Sequence, residues 1–246
     1  MINGLLSLIL ASLIAGPAHE PASAPARPVL IELYTSQGCP LCPAANEFLG
    51  RLDARNDVIA LSFSVDYWDI YGWEDTYARP EYVERQRAYK ASLDLPRVYT
   101  PQFVIDGSAE AAGSEPDGIL SLIANRRLTL TDSIEIEVDH NGEGNFTINI
   151  DGAVPSGSPA TVYIAAYAPG WRTVQVDGGR NAGREMRVYN PVTAFFELGQ
   201  WQAGEDSYGA ALPDGLAGVF IIQGGAGGPI YAVADFRHSM DSHPDG

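Results

Sequence analysis

The sharpest chemical signal in the chain is Cys39-Pro40-Leu41-Cys42, which holds its only two cysteines. Two thiols at this spacing can close on each other. A thiolate attacks a disulfide sulfur, and a second thiol resolves the mixed disulfide. In this reading Cys39 is the nucleophile and Cys42 the resolving partner. The pair follows an apolar strand-like run and opens a helix-like one. Unpaired N–H groups and the macrodipole at a helix start favour a negative sulfur, and can lower a thiol pKa from about 8.5 to about 7 or below. Three other readings of the pair stay open. A purely structural bond closing so short a loop contributes only about 2 kcal/mol on the chain-entropy estimate. A zinc site wants four ligands, and copper carriers usually add a histidine or methionine. His19, His140, His238 and His243 all lie outside the segment around the cysteines, so no metal ligand is assigned. The third is a relic pair that no longer turns over.

Thr100-Pro101 is the second signal. A proline heading the strand-like run Gln102–Ile105 fits only an edge or a special site. In thioredoxin-like folds this position holds a cis-proline beside the cysteines, so the Thr100–Pro101 bond is predicted to be cis. Its role would be to hold residue 100 open for pairing with an extended substrate peptide. Glu32 stands as an acid inside an apolar run. It could accept a proton from Cys42 during resolution, or sit at an exposed edge, or pair with an arginine. Asp66, Tyr67 and Trp68 follow the next strand-like run. The carboxyl ends of parallel strands lie on one side of a βαβ unit. This acidic, aromatic loop therefore either faces substrate near Cys39 or packs onto the domain. Gly224 to Pro229 is glycine-rich but lacks the lysine of a phosphate loop and reads as a hairpin turn.

The elements that must position these residues fall into two textures. From Pro28 to Arg127 strands and helices alternate. Strands are predicted over 29–34, 58–65, 102–105 and 109–112. Helices are predicted from Pro40 to Leu52, over 80–93, and after an N-cap at Ser114 with Ile119, Leu120, Leu122 and Ile123 buried. From Leu128 short alternating runs with Gly/Pro punctuation take over, at 134–138, 146–150, 161–168, 173–176, 184–189, 193–198, 218–223 and 230–236. The expected fold class is α+β. A thioredoxin-like α/β domain (28–127) precedes an antiparallel β-sandwich-like module (128–240), with a tail at 241–246.

Residues 1–18 read as a secretory signal peptide. Leu5 to Ala15 is apolar but too short to span a bilayer, and small residues allow cleavage after Ala18. Residues 19–27 read as a flexible tether. The expected location is periplasmic or secreted, with no membrane span after cleavage. A net charge of −16 argues against a nucleic-acid partner, which needs a basic footprint.

Several stretches together resemble a known family. They are ELYTSQGC (32–39) with Cys42-Pro43-Ala44, VDYWDIYGWEDTYARPEYVERQRAY (65–89), VYTPQFVIDG (98–107) and GGRNAGREMRVYNPV (178–192). They resemble the DUF1223 family of secreted bacterial proteins with a thioredoxin-like domain. The resemblance implies fold and export, and carries the family pattern to Cys39, Cys42 and Pro101. The function expected is thiol–disulfide exchange with protein thiols or disulfides, with no cofactor. The alternatives are a protein-binding envelope module with incidental cysteines, or a metal carrier. The sequence leaves the oligomeric state open.

Overall fold

The structure, a computed structural model, describes residues 27–130 and 133–237. The predicted signal peptide, nearly all of the tether and the tail lie outside the described residues. The first half runs β1 (Val29–Thr35), α1 (Cys42–Asp53), β2 (Val58–Ser64), α2 (Pro80–Ser92), β3 (Gln102–Ile105), β4 (Ala109–Ala112) and α3 (Pro116–Arg127). Among its described residues the second half has no α-helix; it contributes a short 3-10 turn (Gly179–Asn181) and the strands β5 (Ile134–His140), β6 (Asn145–Gly152), β7 (Ala160–Tyr167), β8 (Trp171–Val176), β9 (Arg184–Tyr189), β10 (Val192–Trp201), β11 (Asp206–Ala211), β12 (Ala217–Gln223) and β13 (Ile230–Arg237). The fold is mixed α/β, with few helices and many strands in several sheets.

The first sheet has the order β2-β1-β3-β4. β1 and β2 are parallel, as a helical crossover requires, and β3 is antiparallel to both β1 and β4. Every residue of β1 and β2 is buried, which accounts for their unbroken apolar runs. One face, with Ile31, Leu33 and Phe103, packs on α1 and α3 through Phe48, Leu49 and Ile119. The other face, with Leu30, Tyr34 and Phe63, packs on α2. Tyr167, Val219 and Ile221 from the second half enter that same core.

A second sheet has the order β10-β7-β12-β13 and a third β11-β6-β5. Between them Phe146 and Ile148 meet Val162, Phe220 and Ile222. Alternate residues of β12 thus serve two cores, and the strand is buried throughout. The second and third sheets share this core, and the second also lies against the α2 side of the N-terminal half.

Several expectations need correction. α1 begins at Cys42 with Pro43 in its first turn. Pro40 lies in the turn ahead, so Cys39 precedes the helix instead of opening it. Glu115, not Ser114, is the N-cap residue of α3, and no side chain caps that helix. Leu120 is exposed on its outer face. Strand β11 has no counterpart in the predicted set. Its sequence, DSYGAA, carries almost no β propensity, and pairing with β6 imposes the extended form. The hairpin β8–β9 stands apart from these sheets and lies along α1, where Trp171 and Tyr189 press against Gly50.

The turn after β3 illustrates how closely the halves approach. Gly107 has a φ of 62°, and a Cβ there would collide with the carbonyl oxygen of Gly228. Both the left-handed backbone and the contact demand glycine. Gly107→Ala is expected to destabilise the fold by about 2 kcal/mol or more, read as a drop in urea midpoint at unchanged slope.

Candidate functional site

Cys39 and Cys42 form a disulfide with their Cα atoms 5.4 Å apart. It sits where β1 gives way to α1, at the carboxyl end of the parallel pair. The Ser36 carbonyl accepts the N–H of Cys39, and the Cys39 carbonyl accepts the N–H of Cys42. These bonds wrap the loop tightly into the helix. Cys39 is 1% exposed and Cys42 is fully buried, whereas Leu41 between them is 71% exposed.

The Thr100–Pro101 bond is cis. A groove of about 280 Å³ runs past the disulfide turn, with Leu41 and Ala44 on one side and Thr100, Pro101, Ala112 and Gly113 on the other. Gly113 lets Pro101 come close to α1. A Cβ there would lie 2.7 Å from the Pro101 Cγ and 3.0 Å from the Ala45 Cβ.

Trp68 spans from the cysteine turn to this proline loop. Its Cβ would be 3.1 Å from a Cβ on Gly38. Its indole N–H donates to the Thr100 Oγ1 at 2.7 Å. Tyr71 lies beside it at 5.5 Å between ring centroids. The Arg180 guanidinium, from the second half, sits 4.2 Å from the Tyr71 ring centre and 5.8 Å from that of Trp68. Tyr67 turns inward instead. Its hydroxyl donates to Gln86 at 3.4 Å, and burial pushes its pKa up to about 12. Asp66 is half-buried in the same loop, where its carbonyl accepts the N–H of Asp69.

Comparison with known proteins adds a family. The family described as "Protein of unknown function (DUF1223)" matches residues 30–219. The chain belongs to the DUF1223 family. No curated protein is matched. The crystal structure of an Agrobacterium tumefaciens protein is similar to this DUF1223 chain, at 26% identity and a TM-score of 0.74. That match covers 90% of this chain and 99% of the other. A domain of the outer membrane lipoprotein Omp28 from Porphyromonas gingivalis matches 44% of this chain and 90% of its own, at 10% identity and a TM-score of 0.22.

Two of the DUF1223 segments quoted from the sequence meet at Gln37, a residue the sequence reading passed over. Its N–H donates to Asp75 at 2.6 Å, and its side chain bonds Thr76 and Trp73. Its carbonyl accepts from Asn181 at 2.7 Å. The 66–79 loop and the 178–184 loop thus clamp the backbone just ahead of Cys39. The signal available in the sequence was only that three polar stretches accompany the cysteines.

Glu32 is not brought to Cys42. Strand alternation turns it to the α2 face, opposite α1. There it is fully buried and pairs with Arg85 at 2.6 and 2.9 Å. Tyr89 donates to it at 2.5 Å and Tyr34 at 3.2 Å. The arginine alternative is the one realised, and the proton-acceptor role is dropped. Among the described residues no group of three His, Cys, Asp or Glu is placed to hold a metal ion.

Removing one member of a buried pair leaves the other charge unpaired, at about 3–5 kcal/mol. Arg85→Met is expected to lose that much in urea unfolding, and Glu32→Gln with Arg85→Met distinctly less. Asp75 gives a pH signature. Burial pushes its carboxyl above the ordinary value, although the N–H groups of Gln37 and Tyr77 pull it back. Between those two values the folded chain keeps a proton that the unfolded chain has released. Stability therefore falls as pH rises through that window, from about pH 4 upward. Asp75→Asn should flatten this slope in unfolding curves measured across pH.

Proposed function

We propose that this DUF1223 protein is an exported thiol–disulfide oxidoreductase, working through Cys39 and Cys42 on a thioredoxin-like unit (28–127) that carries a β unit (128–240). The observation that carries the reading is the closed Cys39–Cys42 bond at the start of α1, beside the groove that Leu41 shares with Pro101. The sheet order β2-β1-β3-β4 with β3 reversed supports the thioredoxin-like assignment. The apolar stretch ahead of Ala18 supports export.

The exchange balances without a cofactor. A partner thiolate attacks the Cys39 sulfur. The Cys39–Cys42 bond breaks, and its electron pair leaves on the Cys42 sulfur, which takes up a proton. A second partner thiolate then attacks the partner's own sulfur in the mixed disulfide and releases Cys39. Two electrons pass from the partner dithiol to the pair, and the reverse sequence oxidises the partner.

A second reading rests on one observation, the burial of both cysteines. In it the bond is a structural clamp inside a protein-binding module. The two readings separate in an insulin-reduction and refolding assay. Oxidoreductase function predicts turnover by the wild type and at least about a ten-fold loss in Cys39→Ser, or about 1.4 kcal/mol in the barrier. The clamp reading predicts that both are inert, while Cys39→Ser with Cys42→Ser lowers stability by about 2 kcal/mol.

A further inference from the structure

Specific parts flank the disulfide turn. Trp68 packs against Gly38 on one side of the pair and hydrogen-bonds Thr100 at 2.7 Å on the other. Tyr71 and Arg180 back the indole from behind. Cys39, next in the chain to Gly38, is only 1% exposed. Two apolar side chains stand open on these same segments: Leu41, between the cysteines, is 71% exposed, and Ile70, two residues after Trp68, is 80% exposed. A small thiol brings nothing that could displace a hydrogen-bonded indole. A polypeptide can cover Leu41 and Ile70, gain apolar contact, and offer backbone groups to Thr100 as Trp68 leaves.

Building on the thiol-exchange reading, we infer that Trp68 is a specificity-determining gate. It shuts the Cys39–Cys42 bond to glutathione-sized thiols and reserves it for a polypeptide that docks on the surrounding apolar surface. The residue acts by position and takes no part in bond exchange.

The test follows reduction of the protein's own disulfide by excess reduced glutathione, using the full chain and trapping free thiols with a mass-shifting alkylator. One neutral hydrogen bond contributes about 1 kcal/mol. Trp68→Phe and Thr100→Val, each lacking that bond, should therefore be reduced about five- to ten-fold faster than wild type. Thr100→Ser keeps the acceptor oxygen and should stay close to the wild-type rate. In concentrated guanidinium all should react alike, because no gate remains. The inference is overturned if Thr100→Val and Trp68→Phe, folded by circular dichroism, are reduced no faster than wild type. It is also overturned if Thr100→Ser speeds up as much as Thr100→Val. The measurement reads accessibility of the bond itself. Loss of turnover in Cys39→Ser decides the oxidoreductase reading separately.

Discussion

A single ion pair shut away from water governs how the parts of this protein come together. Glu32 and Arg85 meet between the first sheet and α2, and neither charge can be left alone there. Arg85 gives its N–H groups to both Glu32 oxygens, to the Tyr89 hydroxyl and to the Gln223 amide. Its guanidinium lies 4.5 Å from the Phe195 ring centre and 5.5 Å from that of Tyr163. Glu32 comes from β1, Arg85 from α2, Gln223 from β12, and the two rings from β7 and β10. Satisfying one arginine therefore fixes the second sheet against the first. The strands β7, β10 and β12 are part of the wall around a buried charge. Asp106 repeats the principle, binding Arg27 and Arg126, both of which also reach the Ile230 carbonyl.

That docking has a consequence for the cysteines. Once the second sheet is fixed, the hairpin β8–β9 is carried round to α1, and its connecting loop arrives beside the disulfide. Asn181 then reaches the Gln37 carbonyl, and Arg180 reaches Tyr71 and Trp68. The surroundings of the pair are assembled from both halves of the chain. A fragment ending at residue 127 would lack these contacts, together with the partner amide of Arg85.

The sequence was most legible where periodicity and burial coincide. β1 and β2 read as apolar runs because both faces are covered, and the strand–loop–helix setting of Cys39 and Cys42 followed from them. Pairing alone, with no local preference, makes β11 a strand. The side of the sheet that Glu32 faces depends on strand register, and its arginine partner lies 53 positions away. Gln37 looks like any polar loop residue until the 66–79 and 178–184 loops are both folded onto it. The cysteine pair was legible in its local setting, and the cis Thr100–Pro101 bond in its place within a thioredoxin-like pattern. Side chains whose role is to join distant segments had no local signature.

The burial of the disulfide can be weighed against what holds the turn in place. Gln37 alone anchors the backbone ahead of Cys39 to two distant segments of the chain. The Cys42 N–H already bonds the Cys39 carbonyl, and Pro43 preorganises the first turn of α1. A covalent link across so short a loop adds little order to a segment fixed by these means, since the entropy it removes grows with loop length. A clamp would join distant parts of the chain, such as β8–β9 to α1, where aromatic packing and side-chain bonds serve instead. The proposed exchange accounts for two sulfurs in a turn that is already held better than a stabilising role does. In the proposed exchange, Trp68, held by Thr100 and flanked by Tyr71 and Arg180, is the control on that chemistry.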